Sequence, residues 1–158
     1  MKKWIWIPLL MVLILLQSTM GQSQEKIPPV AQQIAEKIQM AIQSYKVDKV
    51  VEGATLLCDI ILMTRPYTSW PQGFLEAIDF ARGFFQETNF SEGVGSIKKA
   101  IEIFEPDSTP SSGDAEGPVG NISKVILNKL ETAIENFKVG NVDQAVLLIL
   151  ESLALLTP

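Results

Sequence analysis

The sequence has no histidine and one cysteine among its 158 residues. Without histidine it lacks the commonest general base and the commonest metal ligand in proteins. One cysteine cannot form an internal disulfide or a zinc module built on several cysteines. Basic residues are also scarce, 13 against 18 acidic ones, and the net charge of −5 argues against binding the phosphate backbone of nucleic acids. We therefore expect no cofactor, no metal and no nucleic-acid partner.

What the chain does have begins with an apolar segment at its N-terminus. Lys2 and Lys3 precede residues 4–16, of which twelve of thirteen are apolar, and the small residue Gly21 follows. This order is typical of a secretory signal peptide, and the run is shorter than the roughly 20 residues of a spanning helix. We predict cleavage after Gly21, with Ser23 as second choice, and an exported protein, periplasmic or extracellular; an uncleaved anchor is the alternative. Cleavage lowers the basic count from 13 to 11 against 18 acids, a net charge of −7.

The remainder has the apolar spacing of helices, with residues recurring at three and four from Ile34 onward. The pattern predicts an all-α fold of three antiparallel helical hairpins, about six helices in all. Pro71 suits the first turn of the third helix, with Ser69 as its cap. Asn89 and Asn141 each precede an acidic or amide residue at the spacing of a capping box, and they predict two further helix starts.

Three segments of 26 residues, 41–66, 81–106 and 133–158, superpose without gaps and each ends on proline. Small residues on one helix allow close approach of the facing backbone, and an aromatic ring fills the remaining wedge. The sequence therefore predicts the same hairpin three times. Its two most informative columns are the aromatic residues Tyr45, Phe85 and Phe137 and the small residues Gly53, Gly93 and Ala145.

Residues 137–146 resemble the turn and second helix of a tetratricopeptide repeat, residues 84–103 are similar, and residues 45–54 give the weakest of the three copies. The resemblance implies a concave groove, lined by the first helix of each hairpin, that binds a protein or peptide. A lone charge, Arg82, in an otherwise apolar column suits a carboxylate anchor. The alternative interpretation is that these positions form the core between hairpins. The implied partner-binding residues are Ile38, Ile42, Tyr45, Ile78, Arg82, Phe85, Leu130, Ile134 and Phe137.

The copies begin 40 and then 52 residues apart, whereas the family's period is about 34. Most of the second excess is residues 107–118, which are rich in Ser, Pro and Gly and carry three acids and no base. That composition is typical of a flexible linker. The predicted organisation is a signal peptide at 1–21, two hairpins at 22–106, a flexible acidic linker at 107–118 and a third hairpin at 119–158.

The last helix is apolar nearly all round, ten of twelve residues in 145–156. A helix of this kind is buried on most sides. Three arrangements achieve that: a closed bundle, in which 145–156 pairs with the similarly apolar 50–63, a homo-oligomer, or contact with a membrane or lipid. Cys58, inside 50–63, is expected to be a small buried apolar side chain.

Little catalytic chemistry is available. Three acidic pairs lie at helical spacing: Asp48 with Glu52, Glu102 with Glu105, and Glu131 with Glu135. Lysines lie beside them, so we expect solvated helix faces rather than a general acid and base. We expect an exported non-enzymatic scaffold or adaptor that binds a protein partner through tetratricopeptide-like hairpins. The alternatives are a carrier of an apolar ligand within a Leu-rich helical bundle, and a membrane-tethered subunit with an uncleaved N-terminal helix.

Overall fold

The computed structural model describes residues 29–105 and 124–156, and within them every regular element is a helix. The predicted all-α class is confirmed, and the six helices pack as three successive hairpins. The predicted signal peptide and linker lie outside the described residues. The helices are α1 (Pro29–Lys46), α2 (Val50–Met63), α3 (Phe74–Gln86), α4 (Phe90–Phe104), α5 (Lys124–Lys138) and α6 (Val142–Ala154).

The turns of the three hairpins have the same backbone conformation. In each, one residue adopts the left-handed conformation: Asp48 (φ 61°), Thr88 (φ 59°) and Gly140 (φ 78°). The next amide donates to the carbonyl oxygen five residues earlier, at 2.8–2.9 Å in all three turns. This hydrogen bond is that of a Schellman-type helix end, which closes the first helix and reverses the chain within four residues.

The predicted aromatic and small columns meet inside the hairpins. A Cβ added to Gly53 would lie 2.8 Å from the Tyr45 ring, and one added to Gly93 would lie 2.6 Å from the Phe85 ring. Both distances are below van der Waals contact, so these two rings occupy the space that a side chain would need. In the third hairpin the small position is Ala145, which is fully buried.

The three hairpins close on one another. Around the outside, α1 packs on α2, α2 on α3, α3 on α4, α4 on α6, α6 on α5, and α5 returns to α1. In addition α2 contacts α6 across the centre. The molecule is thus two layers of three helices, α1–α2–α3 over α5–α6–α4. The two most apolar helices, α2 and α6, each lie in the middle of one layer. This is the closed bundle that the apolar composition of 145–156 allowed, rather than an open stack.

The third hairpin runs in the opposite direction to the first two. Thr68 Oγ1, in the connection between α2 and α3, lies 3.5 Å from Asp143 Oδ1 in the first turn of α6. The α5–α6 turn is therefore at the end of the bundle where α2 finishes, whereas the α1–α2 and α3–α4 turns are at the other end. All neighbouring helices around the bundle are consequently antiparallel.

The third helix starts later than Pro71 and Ser69 predicted. It begins at Phe74, with Gly73 (φ 82°) as the preceding residue and no side-chain cap. The reason is a tertiary contact, because Trp70 stacks on Phe74 at 4.7 Å between ring centroids and also meets Phe104 at the end of α4. This aromatic cluster holds residues 70–73 outside the helix.

The two asparagine caps have different outcomes. The side chain of Asn89 accepts a hydrogen bond from the Glu92 amide at 3.4 Å, which confirms the predicted cap. Asn141 does precede α6, but its side chain makes no cap and donates instead to Asn136 Oδ1 at 3.1 Å. The predicted helix start is correct and the predicted capping contact is wrong.

Candidate functional site

The structure places the nine residues implied by the tetratricopeptide resemblance mainly in the core. The eight apolar ones are between 0% and 7% exposed, and together they fill the space between the hairpins. This is what the alternative interpretation of these columns predicts. A partner-binding role for these residues stays a prediction, since a partner on the outer surface reaches only the ninth, Arg82. The eight are Ile38, Ile42, Tyr45, Ile78, Phe85, Leu130, Ile134 and Phe137.

Arg82 forms ion pairs with two carboxylates of its own chain. Nη1 donates to Asp59 Oδ1 at 3.1 Å, and Nη2 donates to Asp79 Oδ1 at 2.7 Å. The hydrogen bond to Asp59 is the main cause that raises the pKa of Arg82. The guanidinium, with its side chain 36% exposed, therefore joins α2 to α3 instead of presenting an unpaired charge to a partner.

The described residues offer no assembled catalytic or metal site. Among them, no three His, Cys, Asp or Glu side chains converge so as to hold a metal ion. Cys58 is a free, fully buried thiol, as predicted, and burial raises its pKa so that the reactive thiolate is disfavoured. The acidic pairs expected to be solvated are on the surface, and Glu135 accepts from Lys138 Nζ at 2.6 Å.

Within residues 29–105 and 124–156, none of the six helices combines the length and the apolarity needed to cross a bilayer. Between α1 and α5 the surface has a shallow depression of about 510 Å³. Five of its six lining residues are polar, with Gln39 on one side and Glu131, Thr132, Glu135 and Lys138 on the other. Because Lys138 is already paired with Glu135, the depression offers no free cation to an anionic ligand.

The outer face of α3 carries one of the six large apolar side chains that are more than half exposed in the described residues. Glu76, Phe80 and Gly83 of α3 and Glu87, the residue directly after its end, succeed one another at spacings of four, three and four, so they form one stripe along the helix and its C-cap. The Phe80 side chain is 59% exposed, although it is a large aromatic. Phe84, one turn after Phe80, is half-buried beside it. We call this set the α3 stripe.

Gly83, at the middle of the α3 stripe, differs from the glycines inside the hairpins. A Cβ added there would meet no atom within 4 Å, whereas one at Gly93 would collide with Phe85. Packing within the described chain therefore does not require glycine at position 83.

The partner-binding residues implied by the tetratricopeptide resemblance belong mainly to the buried columns, and none of them belongs to the α3 stripe. A signal for the stripe was nevertheless present in the sequence. Phe80 is out of phase with the apolar positions Ile78, Ala81 and Phe85 that face the core, so an aromatic stands where the helical pattern calls for a polar residue.

Comparison with protein-family models gives no match for this chain, and neither the curated proteins nor the solved structures contain a matching one. The likeness to tetratricopeptide hairpins therefore rests on this chain's own residues and turns. Function is therefore proposed from the chain's own surface, in particular from the α3 stripe.

Proposed function

We propose that this chain is an exported, non-enzymatic helical scaffold that binds a protein partner, and that its three hairpins are copies of one tetratricopeptide-like unit. The repeated turn, with its left-handed residue and its hydrogen bond at 2.8–2.9 Å, supports the common origin of the hairpins. The contact between an aromatic ring and a glycine in the first two hairpins supports it further. In this unit the apolar columns build the bundle, and the partner contacts an outer helix face.

The observation that carries the binding proposal is the α3 stripe. The Phe80 side chain is 59% exposed, so it keeps apolar area in contact with water that a partner's apolar side chains would remove on binding. Aromatic residues are enriched at the centres of protein interfaces because they bury a large area with few rotatable bonds. A protein partner seated on α3 would recover that burial.

Export is proposed on the basis of residues 1–21, whose basic start, apolar run and small residue Gly21 are typical of a signal peptide. N-terminal sequencing of the protein isolated from its own cells tests this directly. A chain that starts at residue 22 or 24 supports an exported scaffold, periplasmic or extracellular. A chain that keeps residues 4–16 and fractionates with membranes would instead favour the membrane-tethered subunit.

Binding is tested by placing a photo-crosslinking amino acid at single exposed positions in the full chain. Met40, Val47, Phe80 and Val139 are all more than half exposed and lie on different helices or turns. A covalent protein adduct that forms at one position and not at the others supports a scaffold with a defined contact surface. Absence of any protein adduct, together with co-purified lipid in native mass spectrometry, would overturn it in favour of a carrier of an apolar ligand.

A further inference from the structure

Glycine inside a helix costs stability relative to alanine, so each helical glycine needs a reason. Tyr45 and Phe85 supply the reason at Gly53 and Gly93, because their rings occupy the space of a side chain. At Gly83 and at Gly95 the described chain supplies none, and of these two only Gly83 has an exposed aromatic side chain, Phe80, at helical spacing from it. Close approach of another backbone from outside is the other circumstance that favours glycine.

The geometry around Gly83 fits a helix laid along α3. The stripe from Glu76 to Glu87 covers eleven residue steps, about 16 Å at 1.5 Å per residue. Phe80 and Phe84 lie beside Gly83 at its centre. A side chain of an opposing helix could enter over Gly83, with the two aromatic rings as one wall of the contact.

The charges at the two ends of the stripe select the chemistry of the partner. Neither Glu76 nor Glu87 forms an ion pair with any residue in the described ranges. The one base of α3, Arg82, is held by Asp59 and Asp79. The exposed lysines of the adjacent α4 make no ion pair with either glutamate. An apolar centre between two unpaired carboxylates is complementary to an apolar segment that carries bases, whereas an anionic membrane surface would be repelled.

We propose that the α3 stripe binds an amphipathic helix of a partner protein whose apolar side chains are flanked by Lys or Arg. The apolar side chains cover Phe80 and Phe84, the backbone comes closest at Gly83, and the basic side chains pair with Glu76 and Glu87. This assignment rests on the proposed scaffold function and names the site and the class of ligand that it takes.

The test uses an 18-residue Leu/Lys amphipathic peptide as the probe, with its Leu/Glu counterpart as the reference. Affinities for the full chain are measured by fluorescence polarisation. Gly83→Leu should weaken binding of the Leu/Lys peptide at least about tenfold by filling the point of closest approach. Gly95→Leu is the matched control, because Gly95 is also a helical glycine with no atom near an added Cβ, and it should bind like the unmodified chain.

A second pair of variants separates a defined site from general attraction between opposite charges. Glu76→Lys with Glu87→Lys should abolish the preference for the Leu/Lys peptide over the Leu/Glu peptide. Glu36→Lys with Glu131→Lys makes the same change of charge at exposed sites on α1 and α5, and should keep the preference. Circular dichroism spectra that match the unmodified chain establish that all four variants are folded.

Equal loss of affinity in Gly83→Leu and Gly95→Leu, or equal effects of the two charge pairs, would overturn the assignment. So would binding to vesicles of phosphatidylglycerol and phosphatidylethanolamine that Phe80→Ala removes, since a membrane would then be the ligand. If the α3 variants bind normally while another position still crosslinks to a protein, the α3 assignment fails and the scaffold function stands. If no position crosslinks to a protein, the scaffold function itself fails.

Discussion

The first two hairpins and the third share a turn but differ in how they dock. In α1–α2 and α3–α4 a ring packs directly on glycine, and both turns lie at one end of the bundle. In α5–α6 the small residue is Ala145, and the contact between Thr68 and Asp143 places the turn at the opposite end. The conformation of each hairpin is therefore determined by contacts between residues within about 20 positions of one another. Its direction in the bundle is determined by contacts between residues far apart in the sequence.

The largest expected effect comes from shortening the connection that allows the third hairpin to invert. Glu105 follows the end of α4, and Lys124 begins α5 at the opposite end of the bundle. The distance between them is at least about 22 Å, the length of the 15 residues of α4. Deleting residues 108–121 leaves four connecting residues, which reach at most about 18 Å. We expect the α5–α6 hairpin of one chain to dock on a second chain, giving dimers in size-exclusion chromatography with light scattering.

Deleting residues 110–115 is the control, because the remaining twelve residues reach at most about 47 Å and the unmodified docking stays possible. A chain without residues 108–121 that remains monomeric, with unchanged helicity and stability, would contradict the inverted direction of the third hairpin.

The next largest effect is expected where the aromatic ring covers a glycine. Phe85 is fully buried, packs over Gly93 and meets Phe90 with 5.8 Å between ring centroids. Phe85→Ala should lower the free energy of unfolding by about 3–5 kcal/mol, measured by urea denaturation. Phe80→Ala removes the same side chain from the exposed α3 stripe and should change it by less than about 0.5 kcal/mol. Similar losses in both variants would show that Phe80 is buried in solution.

Two glycines ten residues apart should respond to the same substitution with opposite signs. Gly93→Ala places a methyl group 2.6 Å from the Phe85 ring and should destabilise the chain by about 1–3 kcal/mol. Gly83→Ala meets nothing and should stabilise it by about 0.5–1 kcal/mol, the ordinary gain in helix propensity. In a Phe85→Ala background the penalty at Gly93 should disappear. A double-mutant cycle by urea denaturation measures this coupling, and additive effects would contradict the contact.

What the sequence predicts correctly here is local. Helical spacing, the aromatic and glycine columns and the cap of Asn89 on Glu92 all act within one hairpin, so their signals are within reach of a pattern. The start of α3 was predicted incorrectly because Trp70 packs on the rings of Phe74 and Phe104, which keeps Pro71 out of the helix. Phe104 is 34 residues from Trp70, so no local pattern indicates this contact.

The arrangement of the hairpins was beyond such patterns for the same reason. The apolar composition of α2 and α6 predicts that both helices are buried, and their contact across the centre confirms the suggested pairing. Their direction relative to one another depends on contacts such as Thr68 with Asp143, 75 residues apart, which carry no periodic signal. The candidate site was missed because an apolar residue in a helix is assigned to the core by default, and only its burial separates Phe80 from Phe85.

The smallest effect concerns Tyr45, which alone among the aromatic column Tyr45, Phe85 and Phe137 carries a hydroxyl group. The Tyr45 hydroxyl is buried and has no hydrogen-bond partner among the described residues, so Tyr45→Phe should leave stability at pH 7 unchanged or raise it by up to about 1 kcal/mol. Burial raises the pKa of Tyr45 well above its ordinary value near 10, so the folded chain keeps a proton that the unfolded chain releases.

The stability of the unmodified chain should therefore be intact below about pH 10 as far as Tyr45 is concerned, and fall above it by up to about 1.4 kcal/mol per pH unit. Cys58, whose pKa burial also raises, adds a loss of the same sign that begins near its unfolded value of about 8.5. Urea midpoints at pH 7, 9 and 11 separate the two groups, because Tyr45→Phe removes only the loss above pH 10. An equal decline in both chains between pH 9 and 11 would mean that the Tyr45 ring, unlike that of Phe85, is open to water in its hairpin.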